Sequence, residues 1–490
     1  MKLHREILRL AIPSILANIT VPLVGMVDMA VAGHLPGASS AALIGGITVG
    51  AMLFDLLYWN FGFLRVGTGG LTAQAYGAAK KETPGDVIPG HDRVSRILRR
   101  ALRIALVSGL ALLALQWVVV QLAFLVVDCS PEVRALATRY FYIRIWAAPA
   151  TLSLFAFKGW FIGLQDSVRP MTADLLVNGL NILLSVVLAF GVGPLPALGF
   201  PGIALGTVIA QWSGFTYCAL AARHRYHFEA FLLKCSKSAN YAISSEQNDR
   251  KEKLQHDDYK TVSKNSQTEE GLETGQFFAL NRDLFLRSVG MIAVYIGFTI
   301  ISAQYGDVML AVSAIIMKLL MFFSYFSDGF AYAGEALTGR FVGERSLDGV
   351  KSTIRETFLW GMGVAALFML VYGVGGMPVM HLMTGDATVL EASRQFLPWM
   401  LLMPLIGCPA FIWDGIFIGA TVGKDLRNST LLCAVGFFAV WFLGQGFTDS
   451  PESAIHLLMA AYFAHLAIRA LYLTLRARPA VLAPLSHYQY

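Results

Sequence analysis

The sequence predicts an all-α integral membrane protein: twelve transmembrane helices in two six-helix lobes, related by a pseudo-two-fold axis along the membrane normal. Three observations carry this. Of 490 residues, 56% are hydrophobic and only 14% charged, where a soluble domain carries about 25% charged residues; the mean hydropathy is +0.58. Apolar stretches recur along the chain, each near or beyond the ~20 residues that a helix needs to cross a bilayer. Motifs repeat in matching order in the two halves. Helices rather than open sheet follow, because lipid satisfies no backbone N–H or C=O.

In chain order, the apolar stretches fall near residues 7–33, 41–76, 101–127, 134–163, 171–190 and 202–222, then near 284–303, 310–338, 355–374, 395–418, 428–445 and 454–475. Several exceed the bilayer requirement, so tilt or extension beyond it is expected. The first run is too long for the apolar core of a cleaved signal peptide and reads as a retained span. The connecting loops alternate in charge. Loops 34–40, 128–133, 191–201, 304–309, 375–393 and 446–453 contain no Lys or Arg. The opposite set is basic, with Lys80, Lys81, Arg93, Arg96, Arg99 and Arg100 after span two, Arg340, Arg345, Lys351 and Arg355 after span eight, and Lys424 and Arg427 after span ten. The positive-inside rule then puts both termini of a multi-pass protein in the cytoplasm. The net charge of +6 borders the spans and is a topology signal, not one for nucleic acid.

The cysteines Cys129, Cys218, Cys235, Cys408 and Cys433 form no CxxC pair, which implies neither a zinc site nor a disulfide framework. Residues 234–276 are polar, with seven basic and eight acidic residues. Such a segment buries little apolar surface, and its near balance of charge argues against a membrane clamp. The expected organisation is an N-lobe at 1–224, a largely disordered cytoplasmic linker at 225–280, a C-lobe at 281–478 and a cytoplasmic tail at 479–490.

The repeat is specific. FAFKGWFIG (155–163) in span four matches FIWDGIFIG (411–419) in span ten. GFLRVGTGGLTAQAYG (62–77) in span two matches GFAYAGEALTGRFVG (329–343) in span eight, with one gap. Six spans per unit is an even number, so the halves insert with the same orientation, as in transporters built from parallel repeats. Two such bundles with a cleft between them suit alternating access.

Asp28 is the most informative single residue. It lies inside the first apolar span, where a carboxylate costs roughly 2.5–3.5 kcal/mol on insertion scales. An acid kept at that cost points to a proton or cation site. Asn178 and Asn181 in span five offer polar side chains, with interhelical hydrogen bonding as the alternative role. Pro13 and Pro22 are candidate hinges in the first span, because proline removes a backbone donor and creates a kink point; static kinked packing is the alternative. Asp328 and Glu335, seven residues apart, share one helix face. They either line the cleft as receptors for a cationic substrate or form a structural network with Arg340 or Lys318. Asp414 is the repeat counterpart of Lys158: either the two form a cross-lobe ion pair at the cytoplasmic side, or Lys158 snorkels.

The stretches AIPSILANITVPLVGMVDMAVAGHL, LLYWNFGFLRVGTGGLTAQAYGA, GWFIGLQDSVRPM, SYFSDGFAYAGEALTGR and WDGIFIGATVGKDLRNS resemble the multidrug and toxin extrusion (MATE) family, in its DNA-damage-inducible, DinF-like branch. The resemblance covers nearly all the chain except the linker. It implies export of organic compounds driven by inward H⁺ or Na⁺ flow. It also implies a coupling role for Asp28, with Pro13 as its accompanying proline and Thr207 as the family threonine of span six. The family commonly places an acid four residues after the span-five Asn; here Ser185 follows Asn181. A lone Asp held by Asn and Thr suits a proton better than a hard cation, which prefers several charged or carbonyl oxygens. The resulting expectation is a monomeric efflux antiporter for small, often cationic and amphipathic compounds, exchanging them for H⁺, with membrane lipid as its surroundings. The alternatives are a Na⁺-coupled relative and a lipid-linked saccharide flippase. No metalloprotease, nucleophile-elbow or Walker motif occurs, so no catalytic residue, metal ligand, cofactor or nucleic-acid partner is expected.

Overall fold

A computed structural model describes residues 2–35, 40–82, 92–126, 129–192, 196–226, 256–384 and 386–486. Sixteen α-helices of at least seven residues place the site. The N-terminal half comprises α1 (Lys2–Gly33), α2 (Ser40–Asn60), α3 (Phe63–Glu82), α4 (Asp92–Ala114), α5 (Gln116–Val126), α6 (Pro131–Arg144), α7 (Ala148–Gly163), α8 (Val168–Phe190) and α9 (Phe200–Tyr226). The C-terminal half comprises α10 (His256–Ala303), α11 (Asp307–Gly343), α12 (Leu347–Met383), α13 (Ala387–Ser393), α14 (Leu397–Gly419), α15 (Gly423–Gly444) and α16 (Pro451–Ala477). Eleven helical stretches are long and apolar enough to cross a membrane; α4 and α5, bent by 68° at their junction, supply a twelfth. The all-α, twelve-span expectation stands.

Two local boundaries differ from the sequence reading. Helix α4 starts at Asp92, ahead of the apolar run. Its Arg-rich first turns bury Val94, Ile97 and Leu98, an i, i+3, i+4 stripe that a hydropathy window averages away. Within the segment read as a linker, α10 runs unbroken from His256 into span seven; extending a nucleated helix costs far less than starting one. The rest of that linker, 227–255, lies outside the described residues, as do the last four residues of the tail.

Each half has its own apolar core. The C-terminal core gathers Phe323, Met400, Phe417, Phe437 and Leu458. The N-terminal half has one cluster around Phe54, Tyr140 and Phe141 and another around Phe157, Trp160 and Val177. The halves meet chiefly at the end bearing the basic loops, where Ile7, Leu10 and Ala11 of α1 pack on Phe330, Ala333 and Leu337 of α11. The repeat motifs build equivalent contacts. A Cβ on Gly159 of α7 would run into the Arg65 carbonyl of α3, and one on Gly415 of α14 into the Ala331 carbonyl of α11. Gly163 and Gly419 repeat the pattern against Gly69 and Glu335. Small residues at these crossings let backbones touch, which is how helices associate in lipid.

Candidate functional site in the N-lobe

Helix α8 brings Asn178, Asn181 and Ser185 to one face, because spacings of three and four residues stack side chains on a helix. Helix α9 lies tight against it through Gly202 and Gly206, where a Cβ would come within 2.5 Å of the Leu188 carbonyl oxygen and 2.9 Å of the Ser185 nitrogen. That crossing sets Thr207 beside Asn181: the Asn181 amide Nδ2 donates to Thr207 Oγ1 at 2.8 Å. On the other side of α8 stands α1, whose Asp28 is 5% exposed. Ser185 Oγ donates to Asp28 Oδ1 at 2.8 Å. The serine that replaces the family's second acid is therefore the direct partner of the first. Asn181 Oδ1 is buried and accepts no hydrogen bond from any described residue, leaving an acceptor about one turn from Ser185.

Asn178 does not join this group. Its Nδ2 donates at 2.6 Å to Thr20 Oγ1, about two turns from Asp28 along α1, and it braces α8 against α1. Pro13 and Pro22 both lie inside α1, which remains one helix. They leave the carbonyls of Arg9 and Asn18 without their usual i+4 donors, and the Asn18 side chain reaches across to the Tyr325 carbonyl at 3.3 Å.

Helix α6 adds groups that the sequence reading did not single out. Arg144 Nη1 donates to the Tyr140 hydroxyl at 2.9 Å, and its guanidinium lies 4.8 Å from the Phe54 ring centre. The field of Arg144 reaches both Asp28 and Asp55. Asp55 is exposed in the middle of the span formed by α2 and α3, and it is in electrostatic range of Lys318 on α11. Lys318 borders a small cavity of about 110 Å³ with Tyr295, Met317 and Met321. The available signal was the one used for Asp28, a charge within an apolar span, which Asp55 and Arg144 carry as well.

The C-lobe acids are brought together, and arginines meet them. Glu335 is fully buried, and its Oε2 accepts from Arg65 Nη1 of the opposite lobe at 3.3 Å. Arg65 also stacks on Tyr332, 4.4 Å from the ring centre. The expected partners of Glu335 are corrected: Arg340 turns away to Glu6 and Glu344, since five residues along a helix put it on another face. Asp414 accepts from Arg287 at 2.5 Å and from Arg469 Nε at 3.1 Å. Of the two alternatives for Lys158, the cross-lobe pair with Asp414 is not formed. Lys158 pairs instead with Asp174 on α8, so each member of the repeat-related pair is satisfied within its own lobe. Asp328 sits in the combined field of Arg65, Arg287 and Arg469. Glu335 and Asp414 thus each contact arginine side chains, the arrangement expected of the structural-network alternative.

The family model described as MatE matches residues 13–187 and 284–443. DNA damage-inducible protein F of Escherichia coli (strain K12) is 33% identical over 435 residues, covering 87% of this chain and 83% of that protein. Among solved structures, a MATE protein in the bent conformation superposes with a TM-score of 0.77 at 16% identity, covering 99% of this chain and 98% of the other. An outward-facing multidrug resistance MATE family transporter of the MOP superfamily gives 0.74 at 17% identity, over 99% and 97%. At such identities the structural likeness speaks for the fold.

Proposed function

The chain belongs to the MATE family, on its DinF-like branch, and from that premise we propose that it exports organic compounds in exchange for protons bound at Asp28. It is a multi-pass membrane transporter and not an enzyme. The observation that carries the proton reading is the solitary carboxylate: Asp28 is buried and held by the Ser185 hydroxyl, with no second acid supplied by α8. A proton needs one such carboxylate, whereas a hard cation is favoured by further charged ligands.

In the proposed cycle the cleft opens on the side opposite the basic loops, and packing between the lobes at the basic end supports that starting state. Asp28 takes a proton from outside, α1 rearranges about Pro13 and Pro22, and substrate leaves. The lobes then close outside and part at the basic end, and loss of the proton to the cytoplasm restores affinity for substrate. Each inward proton supplies ~1.4 kcal/mol per pH unit and ~2.3 kcal/mol per 100 mV, so no nucleotide or other cofactor is required. Substrates are small, amphipathic and often cationic. Asp55 is the exposed acid available to them, and Met and aromatic side chains such as Met317, Met321 and Tyr295 supply an adaptable apolar wall. The transporter works as a monomer in the bacterial inner membrane, with both termini in the cytoplasm.

Reconstituted protein tests this by ethidium movement under imposed ΔpH and ΔNa⁺, applied separately. Movement on ΔpH alone, lost in Asp28→Asn, is expected. Movement on ΔNa⁺ alone would replace the proton by sodium. No movement under either gradient would direct attention to lipid-linked substrates.

A further inference from the structure

Arg144 is an unusual cation to find in the middle of a membrane span. It is the last residue of α6, where the chain tightens into a 3-10 turn at Ile145–Ala147 before α7 begins. The guanidinium is held by neutral groups: the Tyr140 hydroxyl at 2.9 Å and the faces of Phe54 and Tyr140 at 4.8 and 5.6 Å. No carboxylate among the described residues lies in ion-pair contact with it, yet its field reaches Asp28 on α1 and Asp55 on α2. Other arginines of the spans behave differently, for Arg65, Arg287 and Arg469 each touch an acid directly. A charge left in such surroundings is costly and marks function by default.

The groups around Asp28 define what Arg144 does there. Ser185 supplies a hydroxyl and Asn181 an unpaired carbonyl oxygen from α8, Thr207 a hydroxyl from α9, and Tyr140 a phenol from α6. Asp55 on α2 is the other acid in the field of Arg144, with Lys318 of α11 beyond it. Among the described residues no three His, Cys, Asp or Glu side chains gather as metal ligands. The neutral oxygens alone would suit a monovalent metal ion, and Asp28 would supply its countercharge. A fixed positive charge opposes that ion, because Phe54 and Tyr140, which hold Arg144, pack against Val27 and Val31 beside Asp28, and like charges in a partly desolvated site repel far more than in water. A proton is not excluded in this way. It binds by forming an O–H bond with the Asp28 carboxylate, leaves a neutral acid, and needs no further ligands. The guanidinium then sets only the pH at which exchange occurs.

We propose that Arg144 is the specificity-determining residue of the coupling site, a tethered cation that takes the electrostatic place of a metal ion and confines Asp28 to proton exchange. This rests on the assignment of Asp28 as the coupling residue. The test uses full-length protein in detergent and in proteoliposomes, comparing wild type, Asp28→Asn, Arg144→Gln, Arg144→Met, Arg144→Lys and the Arg144→Gln/Asp28→Asn double variant. Methionine keeps a long stem against Phe54 and Tyr140; lysine keeps the charge. Sodium binding is read as Na⁺-dependent thermal stabilisation at alkaline pH, and transport as ethidium movement under ΔpH or ΔNa⁺.

The expected result is no sodium stabilisation in wild type or Arg144→Lys. Arg144→Gln and Arg144→Met gain sodium binding at least about tenfold tighter than wild type, and the gain disappears in the double variant. Ethidium movement in Arg144→Gln then responds to ΔNa⁺. Two outcomes overturn the proposal: sodium binding in wild type that is lost in Asp28→Asn, or neutral variants that bind sodium no better than wild type. If wild type moves ethidium under neither gradient, the export reading fails, while a sodium gain in the neutral variants still upholds the role of Arg144. Movement on ΔpH without that gain overturns the role of Arg144 and leaves export standing. Should both neutral variants fail to fold, the wild-type arm decides: Asp28-dependent sodium binding overturns the proposal, and its absence supports it.

Discussion

Glu335 is fully buried on α11, and its ion-pair partner comes from the other lobe, through a single contact from Arg65 at 3.3 Å. Its second oxygen accepts nothing from the described residues. Such a pair gains little over an apolar pair of similar volume, but removing one partner strands the other charge at roughly 3–5 kcal/mol. Glu335→Gln is therefore expected to lower thermal stability strongly, and Arg65→Met/Glu335→Met to recover much of the loss. The measurement is a double-mutant cycle on unfolding temperature with Arg65→Met and Glu335→Met as the single variants. Strictly additive losses would show that the two side chains are not coupled. The same pair bridges the lobes at the closed end, so it must break whenever that end opens.

At the scale of elements, the fold turns on helix crossings that tolerate no side chain. Gly77 on α3 faces the Arg340 carbonyl of α11, and Gly343 on α11 faces the Gln74 carbonyl of α3. These are the last glycines of the two repeat motifs, and they form one reciprocal contact between the lobes. Gln74 secures it from the side, its Nε2 donating to the Gly419 carbonyl and to Thr421 Oγ1, each at 3.0 Å. Because the obstacle is backbone, a larger residue here has no flexible neighbour to displace and must push the lobes apart. Gly77→Val and Gly343→Val are each predicted to shift the population toward a form open at the basic end. Spin labels on the exposed Lys81 and Lys351, in a background without the five native cysteines, would report a longer separation in either variant. An unchanged distance distribution in both would mean that the contact closes in some other way.

At the scale of the whole molecule, the sequence was legible where many residues contribute to one signal. Spans emerge from some twenty residues each, the repeat from two motifs in matching order, and Asp28 from its isolation in apolar surroundings. Partners were not legible, because a partner depends on which face a helix turns to its neighbours. Asp414 meets Arg287 and Arg469 from α10 and α16, residues over fifty positions distant on either side, and no local pattern announces that. Arg144 is a similar case: the chain shows a cation in a span, and only the packing of α2 and α6 sets it against Phe54 and Tyr140. Loop charge is again a collective signal, and it fixes a testable orientation. Cys129 is partly exposed in the cation-free loop between α5 and α6, while Cys235 belongs to the polar segment between spans six and seven, outside the described residues. Cys218, Cys408 and Cys433 are buried. With basic loops inside, a membrane-impermeant maleimide should label a variant retaining only Cys129 in intact cells. A variant retaining only Cys235 should be labelled after permeabilisation and not before. The reverse pattern would invert the molecule, put the packed end of the lobes outside, and turn the proposed export cycle into one of uptake.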